Sequence, residues 1–431
     1  MRFSAAGGLL QTYHPDSLGK PTWTSQGALP PIRDVLGADL DERIIWAVDT
    51  QGNLVGVDLE SRAVRKQSAG VQDGVLGPDG SLYLADAEHR IVRILRRNPV
   101  PFHDVLPAAP RALFGAGNDQ LVAVTKGTPT RLITANAEQA LHTAVLPPGD
   151  VAATFWGDLV AVAADTAVLL YETTGNRKVV SLPSRHHARR VLFSPSGHRF
   201  YVAGEEAAVL VYDRFGLSPV ARIPLPAPPR DLRLDASGRW MLTRPPEADS
   251  VWVLDLATNK LAASVPGAWG PNLPLIAGAA TLVIRRGNDV QSYDLRQAPP
   301  RLLASLPDAG EDLWLAAAWV PRERVSAAEA AAESATVTQD SALLVADTTR
   351  SPGDSVGIYL QVSTSQNREW AGELAKQLKT AGFPAKVLDP SGPDDGYRVV
   401  VGPYPTRELA EENGRKLGRA YFILREPIKR P

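Results

Sequence analysis

The chain of 431 residues contains no cysteine. That excludes disulfides, thiolate metal sites and cysteine nucleophiles, but it leaves the compartment open, because disulfide-free proteins occur on both sides of a membrane. Long apolar runs are also missing: none approaches the roughly 20 residues that a spanning helix needs. The opening Met1–Leu10 holds an apolar stretch too short for a signal-peptide core. Charge of one sign is not in excess, with 46 Lys and Arg against 47 Asp and Glu and a formal net charge of -1, so nothing points to nucleic acid. The sequence has no His-Glu-x-x-His, no phosphate-binding loop and no Gly-x-Gly-x-x-Gly. Its seven histidines are scattered, and the one adjacent pair, His186-His187, reads as a turn between repeats rather than a metal site.

Turn residues are abundant, with 35 Gly and 36 Pro. They punctuate a repeat of about forty residues. Asp73–Gly80, Arg190–Gly197 and Asp231–Gly238 each read as a short strand ending in a tight turn closed by glycine. A second strand follows in each (Ser81–Ala85, Arg199–Ala203, Arg239–Thr243), then a third (Ile91–Leu95, Val209–Asp213, Val251–Asp255). Leu261–Gly267 shows the fourth. Units beginning near 33, 73, 109, 149, 187, 227, 269 and 309, with four strands each, spell a mainly β chain built as a β-propeller, because a lone four-stranded blade cannot bury both faces. Eight blades are expected, and seven if the weak units near 109–185 are miscounted. Leu9–Pro15 and Thr22–Gly27 form an orphan N-terminal pair, and Asp312–Ala316 with Ala342–Asp347 form an incomplete last unit. They predict a split closing blade with two strands from each chain end, which removes exposed sheet edges. The Ala- and Glu-rich stretch 322–340 is an insertion in that blade, helix-prone over Ala327–Glu333. Asp58, Asp213, Asp255 and Asp294 recur at equivalent positions, and such repetition argues for turn stabilisation rather than catalysis.

Beyond a short linker at 350–355 the pattern changes to strand–helix–strand, twice, over 356–431. Gly357–Ser363 leads to a helix near Arg368–Ala381, capped by Asn367 and ended by Gly382, with Trp370, Leu374 and Leu378 on one stripe. Tyr397–Tyr404 leads to a helix near Arg407–Leu417, capped by Thr406, and to a last strand at Ala420–Leu424. Two such halves give an α+β, ferredoxin-like domain: a four-stranded antiparallel sheet with both helices on one face. Alternation sends Leu360, Val362, Val399 and Val401 toward the helices, and Tyr359, Gln361, Ser363, Arg398, Val400 and Gly402 toward the open face.

Tyr359–Ser363, Ala381–Ala385 and above all the run Tyr397-Arg398-Val399-Val400-Val401-Gly402-Pro403-Tyr404 resemble the SPOR (sporulation-related repeat) family over about 75 residues. The repeats ahead of it resemble the YVTN-type propeller, best over Ser250–Leu261. The SPOR resemblance implies binding to peptidoglycan glycan strands stripped of their stem peptides. It also implies a periplasmic or envelope location, with the leader outside this sequence. Gln361 and Ser363 would hydrogen-bond sugar hydroxyls and acetamides, Arg398 would pair with a lactyl carboxylate, and Tyr397 and Tyr404 either stack on sugars or pack internally. Val400 departs from the family, where a polar residue is common. Residues 357–431 carry 12 Lys and Arg against 9 Asp and Glu, so bulk electrostatic attachment is a minor effect. Together these imply a non-enzymatic envelope protein without cofactor, whose propeller (1–349) presents loops near 145–150, 185–190, 225–230 and 266–272 to a protein partner. The alternative is a lactonase-like or other hydrolytic propeller localised to the wall. Related propellers hold metal, quinone or haem, but no ligand set for these is legible here.

Overall fold

A computed structural model describes residues 1–95, 98–100, 105–116, 120–136, 142–173, 177–247, 249–317, 319, 356–365, 368–380, 382–389, 397–406, 409–410, 413–414 and 422–427. The chain divides into two compact units, Met1–Pro321 and Arg322–Pro431.

The first unit consists of eight sheets. Seven run in sequence order, with first strands Ile32–Asp39, Val71–Leu76, Pro110–Ala116, Asp150–Ala153, Arg190–Phe193, Asp231–Leu234 and Leu275–Ala277. These starts fall within about six residues of the sequence repeat. The first strands Ile32–Asp39, Val71–Leu76 and Pro110–Ala116 neighbour one another in turn, as do Asp150–Ala153, Arg190–Phe193 and Asp231–Leu234, so first strands line the centre. In the fifth blade the run Leu159–Glu172 fills two positions. It folds back near Asp165, because the Thr173 N–H donates to the Asp158 carbonyl at 3.2 Å. The same cross-blade bond recurs as Leu59 to Arg43, Arg214 to His198, Leu256 to Arg239 and Leu295 to Ala280.

Why the ring closes at eight follows from the hydrophobic clusters. Alternate residues of one strand serve different neighbours: Ile45 and Ala47 pack toward the first blade, while Ile44, Trp46 and Val48 pack toward the third. Further clusters fill the third–fourth, fourth–fifth, fifth–sixth, sixth–seventh and seventh–eighth junctions. An eighth, with Leu18, Leu273, Val283, Val290 and Trp314, joins the last blade to the first. Each sheet therefore buries both faces, which a lone blade cannot do.

The closing blade corrects the expected two-plus-two split. Its sheet takes Arg2–Phe3, Gln11–Thr12 and Trp23–Thr24 from the N-terminal end and Leu313–Trp314 from the other, three strands plus one. Residues 342–347 and the insertion 322–340 lie outside the described residues. The recurrent acids do cap turns: Asp58 Oδ1 accepts from Glu60 and Ser61 N–H, Asp213 Oδ1 from Phe215 N–H, Asp255 Oδ1 from Ala257 N–H and Asp294 Oδ1 from Arg296 N–H, all at 2.9–3.0 Å.

A second set of bonds is spaced by one blade. Arg33 donates to the carbonyls of Val71 and Gln72, Arg111 to that of Gly149, and Arg190 to Asp231 Oδ1. Arg233 donates to Gly270, Pro271 and Pro274 carbonyls at 2.7–3.0 Å and lies 4.7 Å from the Trp269 ring centroid. A guanidinium can fork in this way and an ammonium cannot. Arg233→Ala is expected to lower propeller stability by about 2 kcal/mol in urea unfolding, because it strands three carbonyls at a junction. Arg233→Lys should recover only a minor part of that loss.

In the second unit, β1 (Val356–Ser365), α1 (Arg368–Thr380), β2 (Ala385–Leu388), β3 (Tyr397–Tyr404) and β4 (Phe422–Pro427) form an antiparallel sheet ordered β2–β3–β1–β4. α1 ends as expected at Gly382 (φ 89°), with Gly382 N–H bonded to Lys379 O and Phe383 N–H to Leu378 O. Asn367, its expected cap, is outside the described residues. Thr406 caps the second helical stretch by accepting from the Leu409 N–H at 3.3 Å.

Candidate functional site

The helix side of the β1–β4 sheet is a closed core of Leu360, Val362, Leu374, Leu378, Val399 and Val401, joined by the smaller Ala371, Ala375 and Ala410. Any ligand face must be the other side. Register defines it: Lys386, Val400, Gln361 and Phe422 form one cross-strand row, and Leu388, Arg398 and Thr364 the next.

Gln361 and Arg398 lie on this face, half-buried, and each is held by an interaction within the chain. Val400 shares the face but is 0% exposed, so it supplies floor rather than contact. Tyr359 is also 0% exposed. Its hydroxyl accepts from Lys386 Nζ at 2.9 Å, with the ammonium 4.3 Å from the ring centroid. Alternation identified the face of Tyr359 but not its burial, and its role is to hold Lys386. Gly402 is buried, with φ 132°, and a Cβ there would stand 2.9 Å from Ile358 O and 3.0 Å from Tyr359 Cδ1. Glycine is needed because the Tyr359 ring occupies that space.

Two aromatic candidates are on the wrong side for sugar stacking. Tyr404, 7% exposed, belongs to the helix-side core, where burial pushes its phenol pKa up. Tyr397 is half-buried against the same core. Ser363 is displaced for a different reason: the register shifts between Gln361 and Ser363, so position 363 pairs with Val399 and position 364 pairs with Arg398. The extra residue of a β-bulge changes the face count, which period-2 reading cannot foresee.

Lys386 is the functional candidate that the sequence reading passed over. The signal was present, since Ala385 and Val387 alternate with it as inward residues. With Lys386 the face carries two cations, Lys386 and Arg398, on either side of an apolar floor, with the Gln361 amide on the neighbouring strand. Such a set donates to carboxylate and hydroxyl oxygens and offers little to a cation.

In the propeller, His187 falls within the strand Arg177–Ala188 and not in the expected turn; it adopts φ 47° where the pairing register breaks between Pro183 and Ala188, and its Nδ1 lies 3.1 Å from Asp165 Oδ1. Among the described residues no three His, Asp or Glu side chains converge as a metal site, and no helix is long and apolar enough to cross a membrane.

Comparison with curated proteins found no match. Among solved structures the chain is similar to dihydro-heme d1 dehydrogenase NirN in complex with DHE, at 15% identity over 66% of this chain and 69% of that one, TM-score 0.49. It is similar to AztD of Citrobacter koseri at 12% identity over 69% and 91%, TM-score 0.49. The C-terminal WD40 domain of Sif2 stands at 14% over 64% and 85%, also with TM-score 0.49. Likeness at this level says nothing about what the propeller binds; the propeller itself rests on the eight sheets and their eight buried junctions. Residues 354–422 match the family described as the SPOR domain. The C-terminal part of this chain is therefore a SPOR domain, preceded by an eight-bladed β-propeller.

Proposed function

We propose that this chain is a non-enzymatic, periplasmic envelope protein. Its SPOR domain binds peptidoglycan glycan strands whose stem peptides have been removed, and its propeller (1–349, joined through 350–355) presents a face to a protein partner. SPOR domains are peptidoglycan-binding modules, so association with the cell wall follows from the family. The preference for stripped strands is supported by one observation: Lys386 and Arg398 flank an apolar floor on the sheet face that the helices leave uncovered. A stem peptide is attached through an amide to the lactyl carboxylate of the sugar. Removing the peptide frees that carboxylate, and paired cations favour the charged acid over the neutral amide.

The test is a pull-down of the full chain with intact and with amidase-treated sacculi. Enrichment on treated material is expected. Gln361→Ala/Arg398→Ala should reduce it by about tenfold, as the loss of one charge-assisted contact would, and Lys386→Ala by a smaller factor in the same direction. Equal binding of wild type to both preparations, or variants indistinguishable from wild type, would remove the proposal.

A further inference from the structure

The propeller contains a cleft of about 690 Å³, lined by five charged side chains among small apolar ones, where the fourth, fifth and sixth blades meet. Its floor is small or backbone-like, with Ala112, Gly149, Ala163 and Ala188, which leaves room for an occupant. Its charges are mostly matched internally. Arg190 is held by Asp231 at 3.1 Å, and Arg189 by Glu205 at 2.7 Å and Asp165 at 3.8 Å, while Asp165 also meets His187. Two lining charges are left. Arg111 uses one of its N–H groups on the Gly149 carbonyl, and Asp150 accepts from the Val191 N–H at 3.1 Å. Among the described residues neither has an ion-pair partner within 4.0 Å. They come from adjacent blades, and Asp150 lies in the fields of Arg190 and, across the cleft, of Arg111.

We propose that this cleft binds a small zwitterion of the amino-acid or short-peptide class, its ammonium on Asp150 and its carboxylate on Arg111. An anion would meet Arg111 but be repelled by Asp150, and a cation the reverse; a ligand carrying both charges meets each side chain with its opposite. Burial already pushes the Asp150 carboxyl pKa up, so an arriving ammonium relieves a desolvated charge. A cleft of this volume lies within the range of small-molecule sites and exceeds a single small amino acid. The inference is independent of the wall-binding reading, since its residues lie wholly in the propeller.

Trialanine, its N-acetyl form, its C-terminal amide and free alanine would be titrated into the full chain by calorimetry, with the melting temperature followed in parallel. Trialanine is expected to bind and to raise the melting temperature, and each blocked form to bind at least about tenfold more weakly. Alanine binding as well as trialanine would identify the amino acid as the recognised unit; alanine failing would identify the peptide. Asp150→Asn keeps an acceptor for the Val191 N–H, and Arg111→Gln keeps a donor for Gly149. Both should melt like the wild type without ligand and lose the trialanine response. Absence of trialanine binding at about 10 mM, or equal binding of the blocked peptides, would overturn the proposal whether or not the variants fold.

Discussion

Asp312→Ala is expected to loosen the propeller ring by about 3 kcal/mol. Asp312 precedes the single C-terminal strand of the closing blade and is 7% exposed in its side chain. One carboxylate oxygen accepts from Arg2 Nε at 2.5 Å and the other from the Ala5 N–H at 2.8 Å. The ladder that it supports is short: Arg2 pairs with Trp314 and Phe3 with Leu313, and Met1 and Leu315 exchange two further backbone bonds at 2.8 and 3.0 Å. On a ladder only three residues deep, the side-chain bridge adds a buried, charge-assisted contact to the closure. Its loss also leaves Arg2, 21% exposed, with Tyr13 Oη at 3.4 Å as its remaining side-chain partner. Urea unfolding should show the destabilisation. Hydrogen exchange should show it concentrated at residues 1–25 and 313–315, ahead of the central blades. Asp312→Asn, which keeps an acceptor but not the charge, should fall between. Unchanged exchange at 1–25 would mean that the ring is closed by packing in the first and last junctions alone.

Gly402→Ala is expected to destabilise the SPOR domain by about 3 kcal/mol and to abolish sacculus binding with it. Two independent penalties act at one position. The backbone holds φ 132°, where side chains are strained, and the added carbon would meet the Ile358 carbonyl at 2.9 Å and the Tyr359 ring at 3.0 Å. Moving Tyr359 moves the hydroxyl and ring that position Lys386. The measurement pairs hydrogen exchange over 356–365 with the pull-down. If the variant binds treated sacculi as wild type does, then neither Gly402 nor the Tyr359–Lys386 contact shapes the ligand face. The propeller should be unaffected in either case.

These two positions show where sequence reading reaches and where it stops. Gly402 stands out in the Tyr397–Tyr404 run, but the neighbour that forbids a side chain is the Tyr359 ring on another strand. Blade starts were legible within a few residues because each blade repeats the same local turn chemistry, in which an acid such as Asp58 or Asp255 caps the turn that follows it. The N-terminal strand of the closing blade was not legible, because Arg2–Phe3 is two residues long and has no period to read. It becomes a strand only through partners at 11 and 313–314.

For the ligand face, alternation assigned Gln361, Arg398 and Val400 to one side, and the register agrees. It could not say that Val400 and Tyr359 are covered, since periodicity reports direction and not what lies in that direction. Nor could it count across the bulge after Gln361, which depends on how β1 meets β3. Local propensity, turn capping and strand period are properties of neighbours in the chain, and by themselves they determined a repeating all-β unit followed by an α+β domain with a SPOR signature. Which blade strands come from which chain end, which face residues are reachable, and the placing of Arg111 and Asp150 on one cleft depend on how distant segments meet. Only the tertiary structure decided them, because burial and charge pairing depend on distance in space.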